Sequence, residues 1–135
     1  MGQEIILGSE SKLIFIAGMG GKEIEHIADH LRPQLGPRDD LVISPHRDIL
    51  ALRDWLSRGP FFLERESLVL DRGRFYQILS LSLREGRRVH PFGEEIFEGE
   101  LGREYRNHQL GTFSAHKDVH SAAYVNFLNR LTQCF

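Results

Sequence analysis

Residues 12–24 read Lys12-Leu13-Ile14-Phe15-Ile16-Ala17-Gly18-Met19-Gly20-Gly21-Lys22-Glu23-Ile24, and this stretch decides the fold. An unbroken apolar run of strand length predicts a strand buried on both faces, the usual condition in a parallel sheet. The glycines at 18, 20 and 21 stop it. Beyond them Ile24, Ile27, Ala28 and Leu31 recur at i, i+3, i+4 and i+7, one apolar stripe of a helix, until Pro33, Gly36 and Pro37 break the chain. The same order then repeats. Leu41-Val42-Ile43 predicts a second short buried strand, ended by Ser44-Pro45-His46. A second helix is predicted over 48–58, with Leu52, Trp55 and Leu56 inward and Ile49 at its start, until Gly59-Pro60. Two strand–helix units in succession predict parallel strands joined by right-handed crossovers.

From Phe61 the pattern changes. Residues 61–70 and 74–83 are long strand-like runs with only Asp71-Arg72-Gly73 between them, which predicts an antiparallel hairpin. The expected class is α/β in the order β-α-β-α-β-β: two parallel strands plus a C-terminal antiparallel hairpin. After Arg84 the polar stretch Glu85-Gly86-Arg87-Arg88 opens a second region. A short helix is expected around 94–101 and another over 118–131, with Ala122, Val125, Leu128 and Leu131 inward. Domain boundaries follow: a sheet domain over 1–83 and a helical C-terminal extension over 84–135.

Composition narrows the function classes. The 135 residues carry 17 Lys+Arg and 19 Asp+Glu, a net charge of −2, which excludes a strongly basic nucleic-acid footprint over the whole chain. The single cysteine, Cys134, permits no disulfide within the chain and suits a reducing compartment. The apolar runs 13–17 and 67–70 are too short to span a bilayer, and residues 1–4 lack a signal-peptide start. A soluble cytoplasmic domain is the expectation.

The glycine loop lies between a strand and a helix, where unpaired N–H groups and the helix dipole favour anions and bare backbone lets a ligand approach closely. It is not a P-loop, since Lys22 is followed by Glu23, and Glu23 also stands where a dinucleotide fingerprint needs its third glycine. A plain tight βα turn and a phosphate-binding helix start both remain open readings. The whole string is more specific. Ile16-Ala17-Gly18-Met19-Gly20-Gly21 resembles the IAGMGG motif of bacterial S-adenosylmethionine-dependent tRNA adenine-N1 methyltransferases. In the same order, Leu41-Val42-Ile43-Ser44-Pro45-His46 resembles that family's LILQPN segment, and Leu52-Arg53-Asp54-Trp55-Leu56 its LRxWL helix. Glu66-Ser67-Leu68-Val69 and Arg74-Phe75-Tyr76-Gln77-Ile78-Leu79 resemble its ExLV and KFYEIL hairpin. The match is good over 12–79 and weaker through Phe92-Gly93 and the tail.

The resemblance implies a partial class I methyltransferase (Rossmann-like) sheet, of which this chain supplies the fourth to seventh strands. It implies S-adenosylmethionine as cofactor and tRNA as substrate. Ala17, Gly18, Met19, Gly20 and Gly21 would be the catalytic loop, and Ser44, Pro45 and His46 substrate contacts; Arg53 and Tyr76 join the candidate substrate contacts from their own places on the second helix and the hairpin. His46 and Ser44 replace the Asn and Gln of that family's QPN, and the acidic-Gly motif and ribose-binding acid of its first half have no counterpart here. The chain is therefore read either as a fragment of a longer enzyme or as a half domain that has lost transfer chemistry. The rival function is a non-catalytic dimerising or RNA-associated module on the same scaffold. Either way the strand Leu13–Ala17 keeps an exposed flank, so a homodimer through it, or Ile5-Ile6-Leu7 folded over it, is expected.

Other features read as structural. The pairs His26/His30 and His116/His120 have i, i+4 spacing but no further ligand fixed by sequence, and no metal site is expected. Asp39-Asp40 read as a solvated turn and Trp55 as core. Arg53 points off the apolar stripe, where a surface ion pair with a neighbouring acid is the default reading and a phosphate contact the functional one. Arg84, Arg87 and Arg88 form a small basic cluster, expected to be salt-bridged mostly to the seven acids of residues 84–135, with a weak tRNA-backbone contact as its functional reading.

Overall fold

The structure is a computed structural model and describes residues 11–113 and 119–131. Strands β1 (Leu13–Ala17), β2 (Asp40–Ser44), β3 (Phe62–Asp71) and β4 (Arg74–Ser82) alternate with helices α1 (Gly21–Leu31) and α2 (Ile49–Arg58) as the hydrophobic periods require. They form one four-stranded sheet in the order β1-β2-β4-β3. β1 and β2 are parallel, and β4 runs antiparallel to both β2 and β3. The hairpin turns in two residues: Asp71 pairs with Arg74, and Arg72 and Gly73 take φ of 52° and 79°, the twist that suits a tight hairpin.

Register fixes what each face of the sheet carries. Ile16, Leu41, Ile43, Leu79 and Leu81 share one face and form a core with Ile24, Ala28 and Leu31 of α1 and Leu52 and Leu56 of α2. Residues of the opposite parity lie on the other face, which no described helix covers. Leu13 is 70% exposed there and Phe15 61%. The expectation that β1 is buried on both faces is thus corrected. A continuous apolar run records that both faces suit burial, not which of them is covered.

The extension also departs from expectation. In place of a short helix, a 3-10 turn (Glu95–Phe97) leads into α3 (Gly99–Phe113). Gly102 lets α3 cross that turn: a Cβ there would lie 2.3 Å from the carbonyl carbon of Phe97. The buried positions of α3 are Gly102 and Tyr105, so its apolar stripe is weak in the sequence. Helix α4 (Val119–Leu131) turns Leu128 and Leu131 inward as expected, but Ala122 is exposed and the buried positions are Tyr124 and Leu128. With Ile96, Phe97 and Tyr105 these two form a second core that takes in Leu68 and Phe75 of the hairpin.

A buried cation joins the two cores. Arg53, on α2, is 0% exposed. Its Nη2 donates to Glu66 Oε1 at 2.8 Å, its Nη1 to Gln77 Oε1 at 2.8 Å and its Nε to the His90 carbonyl at 2.9 Å. The other Glu66 oxygen accepts the N–H groups of Glu94 (2.7 Å) and Ile96 (3.1 Å). Gln77 Nε2 donates to the Tyr105 hydroxyl at 2.9 Å. Among the described residues no buried side-chain polar atom lacks a partner.

Removing one member of such a pair leaves the other charged and unpaired in the core, at a cost of about 3–5 kcal/mol. Arg53→Met and Glu66→Gln are each expected to lower the free energy of urea unfolding by about that much, and a loss below about 1 kcal/mol for both would refute the role assigned to the pair.

His90 and Glu66 contribute to the acid response, alongside Asp39 and Glu64, which hydrogen bonds from Gly36 and Ser82 hold low. Burial pushes His90 below the usual histidine range although Glu94 pulls it back, and its Nδ1 accepts the N–H groups of Phe92 and Gly93 at 3.0 and 3.2 Å. Burial alone would raise Glu66, but the Arg53 charge and the hydrogen bonds hold it below the carboxylate range. For both groups the unfolded chain takes up the proton first as pH falls, so stability is present above the unfolded pKa and is lost as pH drops. Urea titrations are expected to show one decline beginning near pH ~6.5, absent in His90→Gln, and a second beginning below about 4.5.

Candidate active site

The site is built where β1 and β2 end side by side. Open α/β sheets bind ligands in the crevice at the carboxyl ends of their parallel strands. Here two loops zip together: His46 N–H donates to the Met19 carbonyl at 2.8 Å and Gly21 N–H to the Arg47 carbonyl at 2.9 Å. Gly20 and Arg47 form a parallel bridge between them. Gly18 turns the chain with φ of +79°, and Gly21 allows the approach itself, since a Cβ there would sit 2.6 Å from the Asp48 carbonyl oxygen. Asp48 takes a left-handed φ of 61° and starts α2.

Of the expected loop residues, Ala17 and Gly18 are exposed at the strand tip, Met19 packs on the core, and Gly20 and Gly21 are buried. Ser44 pairs with Ala17 in register and is half-buried, Pro45 is buried and His46 is exposed. The His46 imidazole lies over Gly18, with Nε2 3.9 Å from where a Cβ would be, and its ring centroid is 5.9 Å from that of Tyr76 on β4. The Arg74 guanidinium sits 5.9 Å from the same Tyr76 ring. Ala17, Gly18, Ser44, His46 and Tyr76 thus come together in one row across three strands. Arg47, beside Gly20, is held by Glu23 at 3.0 Å and Asp48 at 3.8 Å.

Arg53 does not join the row. Its guanidinium is sealed in the core with all three nitrogens bonded, which corrects the expectation that it meets a substrate phosphate. The signal that could have shown this lies on the hairpin. Strand alternation puts Glu66 and Gln77 on the face of Leu79 and Leu81, and polar groups turned inward need a partner. Asp39 is likewise no solvated turn. It is buried, accepts the N–H groups of Lys12 (2.8 Å) and Gly36 (2.7 Å), and these bonds hold its pKa low. Arg84 pairs with Asp40 and Glu64 rather than with acids of the extension. Arg87 does pair with Glu95 of the extension, while Arg88 donates to the Ser57 and Gly59 carbonyls and lies over Phe62. The three arginines brace the fold. His26 and His30 are exposed on α1. His116, the His120 side chain, Cys134 and Ile5-Ile6-Leu7 lie outside the described residues.

The loop geometry and the motif order have a common explanation. A sequence model of the tRNA (adenine(22)-N(1))-methyltransferases matches residues 3–121. The chain belongs to that family. A Bacillus subtilis (strain 168) tRNA (adenine(22)-N(1))-methyltransferase is 30% identical over an alignment covering 67% of this chain and 43% of that protein. Streptococcus pneumoniae Sp1610, solved with S-adenosyl-L-methionine, superposes with a TM-score of 0.67 at 21% identity, over 87% of this chain and 58% of its own. The Bacillus subtilis m1A22 tRNA methyltransferase TrmK superposes at 0.56 and 21% identity, over 98% and 64%. The chain therefore spans about two fifths of the curated family member and about three fifths of the solved ones. The shared architecture is the Rossmann-like methyltransferase sheet.

The glycines of this family's motif have separable roles here. Gly21→Ala must push Asp48 away and is expected to cost about 1–3 kcal/mol in urea unfolding. At Gly18 a Cβ makes only an ordinary contact, 3.9 Å from His46 Nε2, and the left-handed backbone strains Asn least among side chains, so Gly18→Asn is expected to cost no more than about 1 kcal/mol. A neutral Gly21→Ala would refute the close-approach requirement.

Proposed function

We propose that this chain forms the target-base side of an S-adenosylmethionine-dependent tRNA (adenine-N1) methyltransferase acting in the cytoplasm, with residues 1–83 as its share of the sheet domain and 84–135 as a helical extension. The observation that carries this reading is the pair of zipped loops, 18–21 and 44–48, at the tips of two parallel strands in a family member. The cofactor would supply a sulfonium methyl group, whose transfer to a ring nitrogen needs in-line positioning more than a strong base. In that role Gly18 offers bare backbone, and Ala17 only a methyl group, for a flat base to approach. The His46 imidazole offers a hydrogen bond to a base edge, with Ser44 and Tyr76 beside it. Met19, Gly20, Gly21 and Pro45 keep the two loops in place. The residues fit the base side of the reaction. They do not fit the cofactor's ribose: the loop carboxylates Glu23 and Asp48 are both engaged by Arg47.

One observation favours a second reading, a non-catalytic dimerising module. β1 is an edge of the described sheet and shows Leu13 and Phe15 to solvent. An exposed apolar edge invites pairing, and a second copy of the chain is the proposed occupant. No described helix is long and apolar enough to cross a membrane.

Two measurements separate these readings. In an amide chemical-shift titration, S-adenosylmethionine at ~1 mM half-fills a site worth about −4 kcal/mol. Shifts are expected at Gly18, Gly20, Gly21 and His46, and their absence would remove the cofactor-facing role from this chain. Light scattering at ~100 µM is expected to report a dimer that Phe15→Lys dissociates, and a monomeric wild type would refute the edge pairing.

A further inference from the structure

We propose that the open face of the β3–β4 hairpin is a track for single-stranded RNA, on which Tyr76 and His46 stack a base while Arg74, Arg72 and Arg65 hold phosphates. This deepens the proposed function, on which the choice of RNA as partner rests.

The hairpin is built to overhang the site. The ladder between β2 and β4 ends at the pair Ile43–Leu79, whereas β4 begins five residues earlier, at Arg74, paired only with β3. At about 3.4 Å per residue the hairpin runs about 17 Å past the last β2–β4 pair, alongside the loop tips: His46 lies beside Tyr76, and the turn at residues 72–73 extends beyond it. One face of this overhang is propped, because Phe75 packs on Tyr105 and His108 of α3 with ring centroids 5.1 and 5.3 Å apart. The opposite face carries Arg74 and Tyr76 on β4 and Arg65, Val69 and Asp71 on β3, with Val69 directly across from Tyr76. No described helix covers it.

The charge of this face opposes that of the chain. Arg65, Arg72 and Arg74 are exposed, and none has an ion pair among the described residues. On that face the strands carry Arg65 and Arg74 against Asp71, 2 − 1 = +1, and Arg72 adds a positive charge at the turn; Glu64, next to Arg65, is paired with Arg84, and the whole chain has a net charge of −2. Unpaired arginines suit phosphate, and the exposed His46 ring beside the half-buried Tyr76 ring suits an unstacked base; an acidic peptide would use the first and waste the second. The His46 ring lies over Gly18 with the Tyr76 ring on its other side, so a base stacked there would sit next to the loop assigned to the target adenine.

The test is fluorescence anisotropy of a labelled 12-nucleotide oligoadenylate with the full chain, no cofactor added, over a salt series. Tyr76→Ala is expected to weaken binding by about 5- to 150-fold, and Tyr76→Phe to keep it within about twofold, because stacking needs the ring and not the hydroxyl. The triple change Arg65→Ala, Arg72→Ala, Arg74→Ala is expected to reduce the log–log salt slope by about 2, at about 0.7 per single-strand phosphate. Arg103→Ala, an exposed arginine of α3, should change neither. The substituted arginines are exposed and Tyr76 is half-buried, so thermal melts check that the fold survives each substitution. Wild-type affinity in Tyr76→Ala, an unchanged slope in the triple variant, equal affinity for a 12-base-pair RNA duplex, or no oligoadenylate binding by the wild type would each overturn the track. The cofactor titration is independent of all four, so the track can fall while the proposed function stands.

Discussion

The fold depends on one guanidinium. Arg53 bonds both hairpin strands through Glu66 and Gln77 and the chain leaving β4 through the His90 carbonyl, and Glu66 in turn fixes the start of the extension through Glu94 and Ile96. Desolvating an ion pair is costly, and a salt bridge by itself is weak evidence of stability. Here every buried nitrogen and oxygen of the network has a partner, so the pair works as a specification. It admits one register of the hairpin against α2 and one path for residues 90–96. Where the resembling KFYEIL motif has Glu, this chain has Gln77. The amide leaves the pair charge-balanced and keeps an N–H to donate to the Tyr105 hydroxyl, which a carboxylate does not have.

Strands, helices and topology were legible in the sequence where a period of 2.0 or 3.6 was strong. α1 and the hairpin owe their positions to local chemistry: an apolar stripe at 24, 27, 28 and 31, and a tight Arg72-Gly73 turn. What could not be read depends on partners distant in sequence. Leu13 and Phe15 look like core residues, but their exposure follows from where every described helix packs. Arg53 looks like a surface arginine because its acceptors stand 13, 24 and 37 residues away. The full length of α3 was hidden because its inward positions include Gly102, whose value lies in having no side chain.

The candidate site was legible to the same degree. The glycine string located the loop, and the motif order added Ser44-Pro45-His46 and Tyr76, which the fold brings into one row. Spacing could not divide the labour among these residues. Gly18 and His46 face outward, whereas Gly20, Gly21 and Pro45 hold the two loops together from inside. A motif thus mixes ligand-facing positions with positions that only make them possible, and burial is what separates them.

The two faces of β4 explain why a sheet site should need a helical extension at all. Strand alternation sends Phe75 and Gln77 to one face and Arg74 and Tyr76 to the other. A two-stranded overhang is marginal in water without packing on one side. Tyr105 supplies that packing twice, through its ring against Phe75 and its hydroxyl from Gln77, and Tyr105 is itself stacked on Phe97, 5.5 Å away, in the second core. The extension therefore reaches the site without touching it. By holding the covered face of the hairpin rigid, it fixes where Tyr76 stands relative to His46 and Gly18, so the packing of α3 sets the geometry of the open face.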